Sequence, residues 1–141
     1  MNVARETRAG VNVAVRTTPA SAVTVDANYG YLHRHMLGDT TTFPVGTPIH
    51  KAMGSATIRL PRAAVGIATI RYQSGAVGMS DNGLPLPANA FTTIDLAAVV
   101  PLGAGLTLQA GVKNVLDRNY YYWEGFPESG RNGHVTLRLA F

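Results

Sequence analysis

Apolar and polar residues alternate one for one along most of this chain, which is the period-two signature of strands with two unlike faces. Val23, Val25, Ala27, Tyr29 and Tyr31 share one face of a run whose other face carries Thr24, Asp26, Asn28 and Gly30. The same rule sets Val11, Val13 and Val15 against Asn12, Ala14 and Arg16, and Leu106, Leu108, Ala110 and Val112 against Thr107, Gln109 and Lys113. It also sets Val135, Leu137, Leu139 and Phe141 against His134, Thr136 and Arg138. The pattern predicts strands over 8–18, 22–36, 50–60, 65–76, 91–101, 105–116 and 131–141.

The connections alternate in length. Thr18 to Ser21, Pro61 to Ala64 and Leu102 to Gly105 read as tight turns, whereas 37–49, 77–90 and 117–130 are long and rich in Gly, Pro, Asp and Asn. The Asn82-Gly83 pair marks a bend inside the second of these. Short turns on one side and long loops on the other are the habit of outer-membrane barrels. The apolar face also carries many Ala and Gly, such as Ala52, Gly54 and Ala56. Fluid lipid tolerates such a face, whereas a sealed core is filled with large interlocking side chains. The predicted class is therefore all-β, an antiparallel up-and-down transmembrane β-barrel segment of about seven strands.

Length and charge narrow this further. The chain has 141 residues, enough for one domain, and its longest apolar run, Leu96 to Leu108, is broken by Pro101, Gly103 and Gly105, so no helix spans a bilayer. Its net charge of +4 comes from residues scattered along the chain, with no basic run or helix, and nucleic acid is not an expected partner. Cysteine is absent, which removes disulfides and thiolate chemistry. Residues 1–8 contain no apolar core followed by a cleavage site, so a signal peptide is not read there. An odd strand number leaves two edges whose N–H and C=O groups cannot face hydrocarbon, so partner strands are expected from outside this stretch.

The residues able to do chemistry are few. Tyr120, Tyr121, Tyr122 and Trp123, with Phe126, stand where the sixth strand leaves the membrane. They read as an interfacial aromatic girdle, or alternatively as a ligand-contacting outer loop in which Tyr121, Tyr122, Trp123 and Arg131 are the anchors. His33, His35 and His50 flank the 37–49 loop, but two histidines two apart without a third ligand do not make a metal site, and no metal or other cofactor is expected. On the face opposite the lipid, Arg16, Asp26, Lys51, Arg59, Arg71, Asp95, Lys113 and Arg138 are expected to line the lumen, with Asp95 beside Arg71 or Lys113 as a cross-strand ion pair. No nucleophile, metal set or acid–base pair stands out, so an enzyme is not expected. Gly103-Ala-Gly105 lacks the following Lys-Ser/Thr of a phosphate cradle and reads as a turn.

The C-terminal third carries a more specific signal. Asn114-Val-Leu-Asp-Arg-Asn-Tyr120 followed by Pro127-Glu-Ser-Gly-Arg131 and a strand ending on Phe141 resembles the closing segment of TonB-dependent outer-membrane receptors. Glu6-Thr-Arg-Ala-Gly10, Asn28-Tyr-Gly-Tyr-Leu32 and Pro48-Ile-His-Lys51 are similar to motifs of earlier strands in that family, with departures at Asn12, where Glu is common, and Leu116, where Phe is frequent. The resemblance implies a C-terminal portion, residues 1–141, of a plugged barrel of about 22 strands, with the plug domain and signal peptide absent. It further implies an address in the bacterial outer membrane and energy-coupled uptake of a ferric siderophore or similar scarce nutrient. The implied partners are outer-membrane lipid, the rest of the barrel and its plug, the TonB energiser acting through the missing plug, and the barrel assembly machinery reading Phe141 and its strand. The segment is not expected to transport alone. Two other readings stay open: a complete small eight-stranded outer-membrane barrel with a structural, adhesion or pore role, and a soluble β-sandwich that binds a ligand.

Overall fold

The alternation becomes seven long antiparallel strands in the computed structural model, which describes residues 5–37, 46–79, 82, 84–123 and 125–141. The strands in chain order are β1 (Arg5–Ala20), β2 (Val23–Leu37), β3 (His50–Arg59), β4 (Val65–Gln73), β5 (Ala76–Met79), β6 (Pro85–Ala88), β7 (Phe91–Gly103), β8 (Leu106–Lys113), β9 (Tyr121–Trp123), β10 (Phe126–Pro127) and β11 (Asn132–Leu139). One sheet runs β1-β2-β3-β4-β7-β8-β11, each strand beside its predecessor, and β5-β6 and β9-β10 form small hairpins of their own. The three tight connections lie at one end of the sheet and the longer ones at the other.

Register decides which side chains share a face. Thr17, Val25, Ala56, Ala68, Leu96, Val112 and Gly133 lie side by side across all seven strands. Val15, Ala27, Gly54, Ile70 and Ile94 make a parallel row one pleat away. Apart from Thr17 on the edge strand, the residues of these rows are apolar, and no second layer covers the face among the described residues: Val13 is 51% exposed, Tyr29 42% and Leu137 61%. A soluble sandwich buries its apolar side chains between two sheets, so that reading does not describe this architecture. The few buried residues, Ala64, Phe91, Thr93 and Asn114, lie at the sheet's ends or on its other face.

Several boundaries move from the sequence expectation for local reasons. β1 continues to Ala20 and the turn falls on Ser21 and Ala22, because a register shift between Thr17 and Ala20 absorbs Pro19, which has no N–H to donate to the ladder. β8 stops at Lys113 rather than 116 because Asn114 adopts a left-handed conformation, φ 51°. β4 ends at Gln73, and the connections read as loops over 77–90 and 117–130 contain the two small hairpins. Asn82 lies in a turn, while Gly83 and most of the 37–49 loop lie outside the described residues.

The turn between β7 and β8 explains its two glycines. Gly103, Ala104 and Gly105 all have positive φ, 92°, 49° and 75°, a region in which a side chain costs about 1–2 kcal/mol. A Cβ on Gly105 would also strike the carbonyl oxygen of Ala140. The Ala140 N–H donates to the Gly105 carbonyl at 3.0 Å, which ties the chain end beside Phe141 to this turn.

Candidate functional site

The polar face becomes a site where the segment after β8 folds back over it. Left-handed Asn114 reverses the chain and is almost fully buried. Its Nδ2 donates to the carbonyls of Arg118 at 2.8 Å and Ser129 at 3.4 Å, and its Oδ1 accepts from the Arg118 N–H at 2.9 Å. Asp117 then holds the far side of the loop: its Oδ1 accepts from the Arg131 N–H at 2.7 Å, and the Arg131 guanidinium lies 3.8 Å from Oδ2. The motif that looked like a family signature is thus a set of side-chain-to-backbone bonds that close the loop at the base of the small β9-β10 hairpin.

This closure carries Tyr120 and Tyr122 onto the polar face. Their rings pack on buried Phe91 at centroid distances of 4.5 and 5.4 Å, and on each other at 5.7 Å in an edge-to-face arrangement. Partial burial, and secondarily Tyr122, pushes the Tyr120 phenol above its ordinary pKa, so it remains a neutral hydroxyl at physiological pH. The girdle expectation is therefore corrected for Tyr120 and Tyr122, which face away from the apolar side. The same ring chemistry suits a headgroup layer and a cavity wall, and the fold-back at Asn114 decides between them.

Below the rings, Arg71 on β4 donates to Asp95 Oδ2 on β7 at 2.7 Å, while Asp95 Oδ1 accepts the Asn114 N–H at 2.9 Å. Of the two partners the sequence offered for Asp95, the structure selects Arg71. Lys113 stands nearby without closing the pair. Arg71, Asp95, Lys113, Tyr120, Tyr122 and Glu128 line a recess of about 280 Å³, and an adjoining recess of about 220 Å³ places Lys51 and Arg71 around Tyr122. The site sets two lysines and one arginine against two carboxylates, Asp95 and Glu128, together with aromatic hydroxyls, a polar wall rich in donors and suited to polyhydroxylated or anionic ligands.

The remaining predicted residues are not drawn together. Arg16 lies 3.5 Å from Asp26 across β1 and β2, Arg59 donates to the Ser21 carbonyl at 3.5 Å, and Arg138 sits opposite Thr107. These belong to the turn end of the polar face. Tyr121 is half-buried, Arg131 is exposed and engaged with Asp117, and the side chain of Trp123 lies outside the described residues. Phe141 is exposed beyond the end of β11. Sequence reasoning missed Phe91, although it shares parity with Thr93 and Asp95 and so breaks the polar face's pattern. It also missed a second cluster near the long-loop end, in which Glu6 accepts from both Arg8 and Arg34, and Arg34 donates to the Thr47 hydroxyl at 2.7 Å.

The two roles of Asp95 separate by substitution. Asp95→Asn keeps an oxygen for the Asn114 N–H and weakens only the partly exposed ion pair, so it is expected to cost about 1 kcal/mol. Asp95→Ala removes both and is expected to cost about 2–3 kcal/mol. Urea unfolding from detergent micelles measures both, and equal losses would mean that the Asn114 bond contributes nothing.

Comparison with known proteins places this geometry. No family model matches the chain. Over 64 residues, 43% of the chain, it is 44% identical to the metal-pseudopaline receptor CntO of Pseudomonas aeruginosa, of which that stretch is 9%. FpvA of P. aeruginosa bound to heterologous pyoverdines superposes on 96% of the chain with a TM-score of 0.82 at 18% identity, and the siderophore receptor PiuA of Acinetobacter baumannii on 96% with a TM-score of 0.79 at 15% identity. The chain spans 20% and 22% of those two structures. It has the fold of a segment of the barrel wall of TonB-dependent siderophore receptors, the family its closing motif resembles.

Proposed function

We propose that this chain forms part of the wall of an outer-membrane TonB-dependent receptor for energy-coupled uptake of a ferric siderophore or a similar chelated metal. The observation that carries the reading is the pairing of an exposed apolar face with a roofed, donor-rich recess on the opposite face, in a sheet that superposes on siderophore receptors along nearly its whole length. One face meets acyl chains and the other looks into the lumen, so Arg16, Asp26, Lys51, Arg59, Arg71, Asp95, Lys113 and Arg138 are lumen-facing. Residues 1–141 belong to the C-terminal part of the barrel. The plug, and through it the TonB energiser, act from outside this stretch, and the strand ending at Phe141 is the one read by the assembly machinery. The chain itself carries out no chemistry on the cargo.

Within the site, Arg71, Lys113, Tyr120 and Tyr122 are placed to hold an anionic arm of the cargo, and Arg131 serves the loop. The test is uptake of radiolabelled ferric and zinc chelates by the parent bacterium under metal limitation, with and without the coding region. Loss of uptake of one chelate class, restored by the intact gene, is the expected result. Unchanged uptake of every chelate would contradict the proposal.

A further inference from the structure

The two recesses that meet at Tyr122 share Arg71 as a wall but differ in charge. Asp95 and Glu128 line the larger one, whereas no carboxylate lines the recess of about 220 Å³. Its polar groups are the Lys51 ammonium, the Arg71 guanidinium and the amides of Asn28 and Gln73. Register brings them together: Lys51 pairs with Gln73 across β3 and β4, and Asn28 and Arg71 flank Met53 in the next row of the same face. Paired side chains stand about 5 Å apart and successive rows about 7 Å apart, spacings that the long Lys51 and Arg71 side chains bridge.

These donors have capacity to spare. Among the described residues the Lys51 ammonium has no hydrogen-bond or ion-pair partner. Arg71 reaches Asp95 through Nη1, which leaves its other N–H groups for a ligand. Opposite Lys51 stands Gly30, where a Cβ would lie 2.8 Å from Asn12 Oδ1. A hollow of about 560 Å³ opens on that side, lined by Lys51 and Asn28 and again by no carboxylate. The acidic side chains of β1 and β2 are engaged elsewhere: Asp26 lies against Arg16, and Glu6 accepts from Arg8 and Arg34.

Such a wall calls for acceptors on the outside of a chelate. In a catecholate or hydroxamate complex both oxygens of each arm bind the metal, and the arms turn ring or chain carbons outward. A carboxylate can bind the metal through one oxygen and keep the other free, and an ionised carboxylate is acceptor-only, with about four lone-pair sites.

We propose that the cargo is a metal polycarboxylate and that Lys51 selects it, holding free carboxylate oxygens in the recess between β2 and β4 with Arg71, Asn28 and Gln73. This deepens the uptake reading above and rests on it.

The test is binding to outer membranes isolated from the parent bacterium with the gene intact, deleted or carrying a substitution. Radiolabelled ferric citrate and zinc nitrilotriacetate are the carboxylate probes, and radiolabelled ferrichrome, a neutral trihydroxamate, is the comparison. Gene-dependent binding of a carboxylate probe, and not of ferrichrome, is expected. Lys51→Gln is expected to raise the Kd of that probe by about tenfold or more, the loss of one hydrogen bond to a charged group. Lys51→Met, which keeps much of the stem, should do the same, and Lys51→Arg should hold the Kd near the original value because guanidinium matches carboxylate. The amount of receptor changes the number of sites and not the Kd, so a variant that assembles poorly still reports. Preference for ferrichrome, binding of no probe, or one Kd shared by Lys51→Gln and the unaltered receptor overturns the inference. The receptor reading falls separately, if no chelate in the uptake test depends on the gene.

Discussion

Replacing Leu137 by Arg is expected to destabilise the membrane-inserted protein by about 2–4 kcal/mol, the cost of an arginine on the lipid face near the bilayer midplane. Leu137 faces Leu108 inside the β8–β11 ladder, two pairs from its turn end, and is 61% exposed on the apolar side. Its neighbour Thr136 points to the polar side opposite Gln109, and Thr136→Arg is expected to change stability by less than about 0.5 kcal/mol. Two adjacent positions with the same new side chain thus differ by the solvent each face meets. Urea unfolding from phosphatidylcholine vesicles measures the pair. Equal costs at 136 and 137 would remove the distinction between the faces.

The second large effect is expected at Asn114. Its amide satisfies the Arg118 N–H and two carbonyls while the residue holds φ 51°. Asn114→Ala leaves those groups without their partner, at about 1–3 kcal/mol for a buried polar group, and adds about 1 kcal/mol because Ala lacks the local hydrogen bonds that make the left-handed region tolerable for Asn. A total of about 3 kcal/mol is expected, and Asn114→Gly should recover about 1 kcal/mol of it by relieving the backbone. The loss should concentrate in the 114–131 loop, read as faster amide exchange at Arg118 and Arg131 than at Val135 in β11. Exchange raised uniformly over β8 and β11 would show instead that Asn114 supports the hairpin as a whole and not the loop.

Alternation made the sheet legible because it is a direct consequence of strand geometry: each of the seven long strands, and the face of each residue on it, follows from parity alone. Register followed where tight turns fixed it, as at Gly103 to Gly105. Parity ends where the ladder ends. Nothing periodic announces that Asn114 turns left-handed, or that Asp117 will accept a bond from Arg131, fourteen residues on. The fold-back that creates the recess therefore could not be read from pattern, although its residues were quoted as a motif. The girdle reading of Tyr120 and Tyr122 failed for the same reason. The small hairpin β5-β6 was hidden because Pro85 and Pro87 read as loop residues; both lie in a short two-stranded piece outside the main sheet, where few N–H groups are required.

The central claim is that one face of this sheet meets lipid and the other does not. The chain has no cysteine, so single cysteines placed in turn at 134 to 139 in β11 report on their own positions. Each is spin-labelled in vesicles, and its collisions with oxygen, which concentrates in hydrocarbon, are compared with those of a water-soluble nickel chelate. The account predicts that oxygen accessibility peaks at 135, 137 and 139 and falls at 134, 136 and 138. A flat profile, or one with the opposite parity, would contradict it.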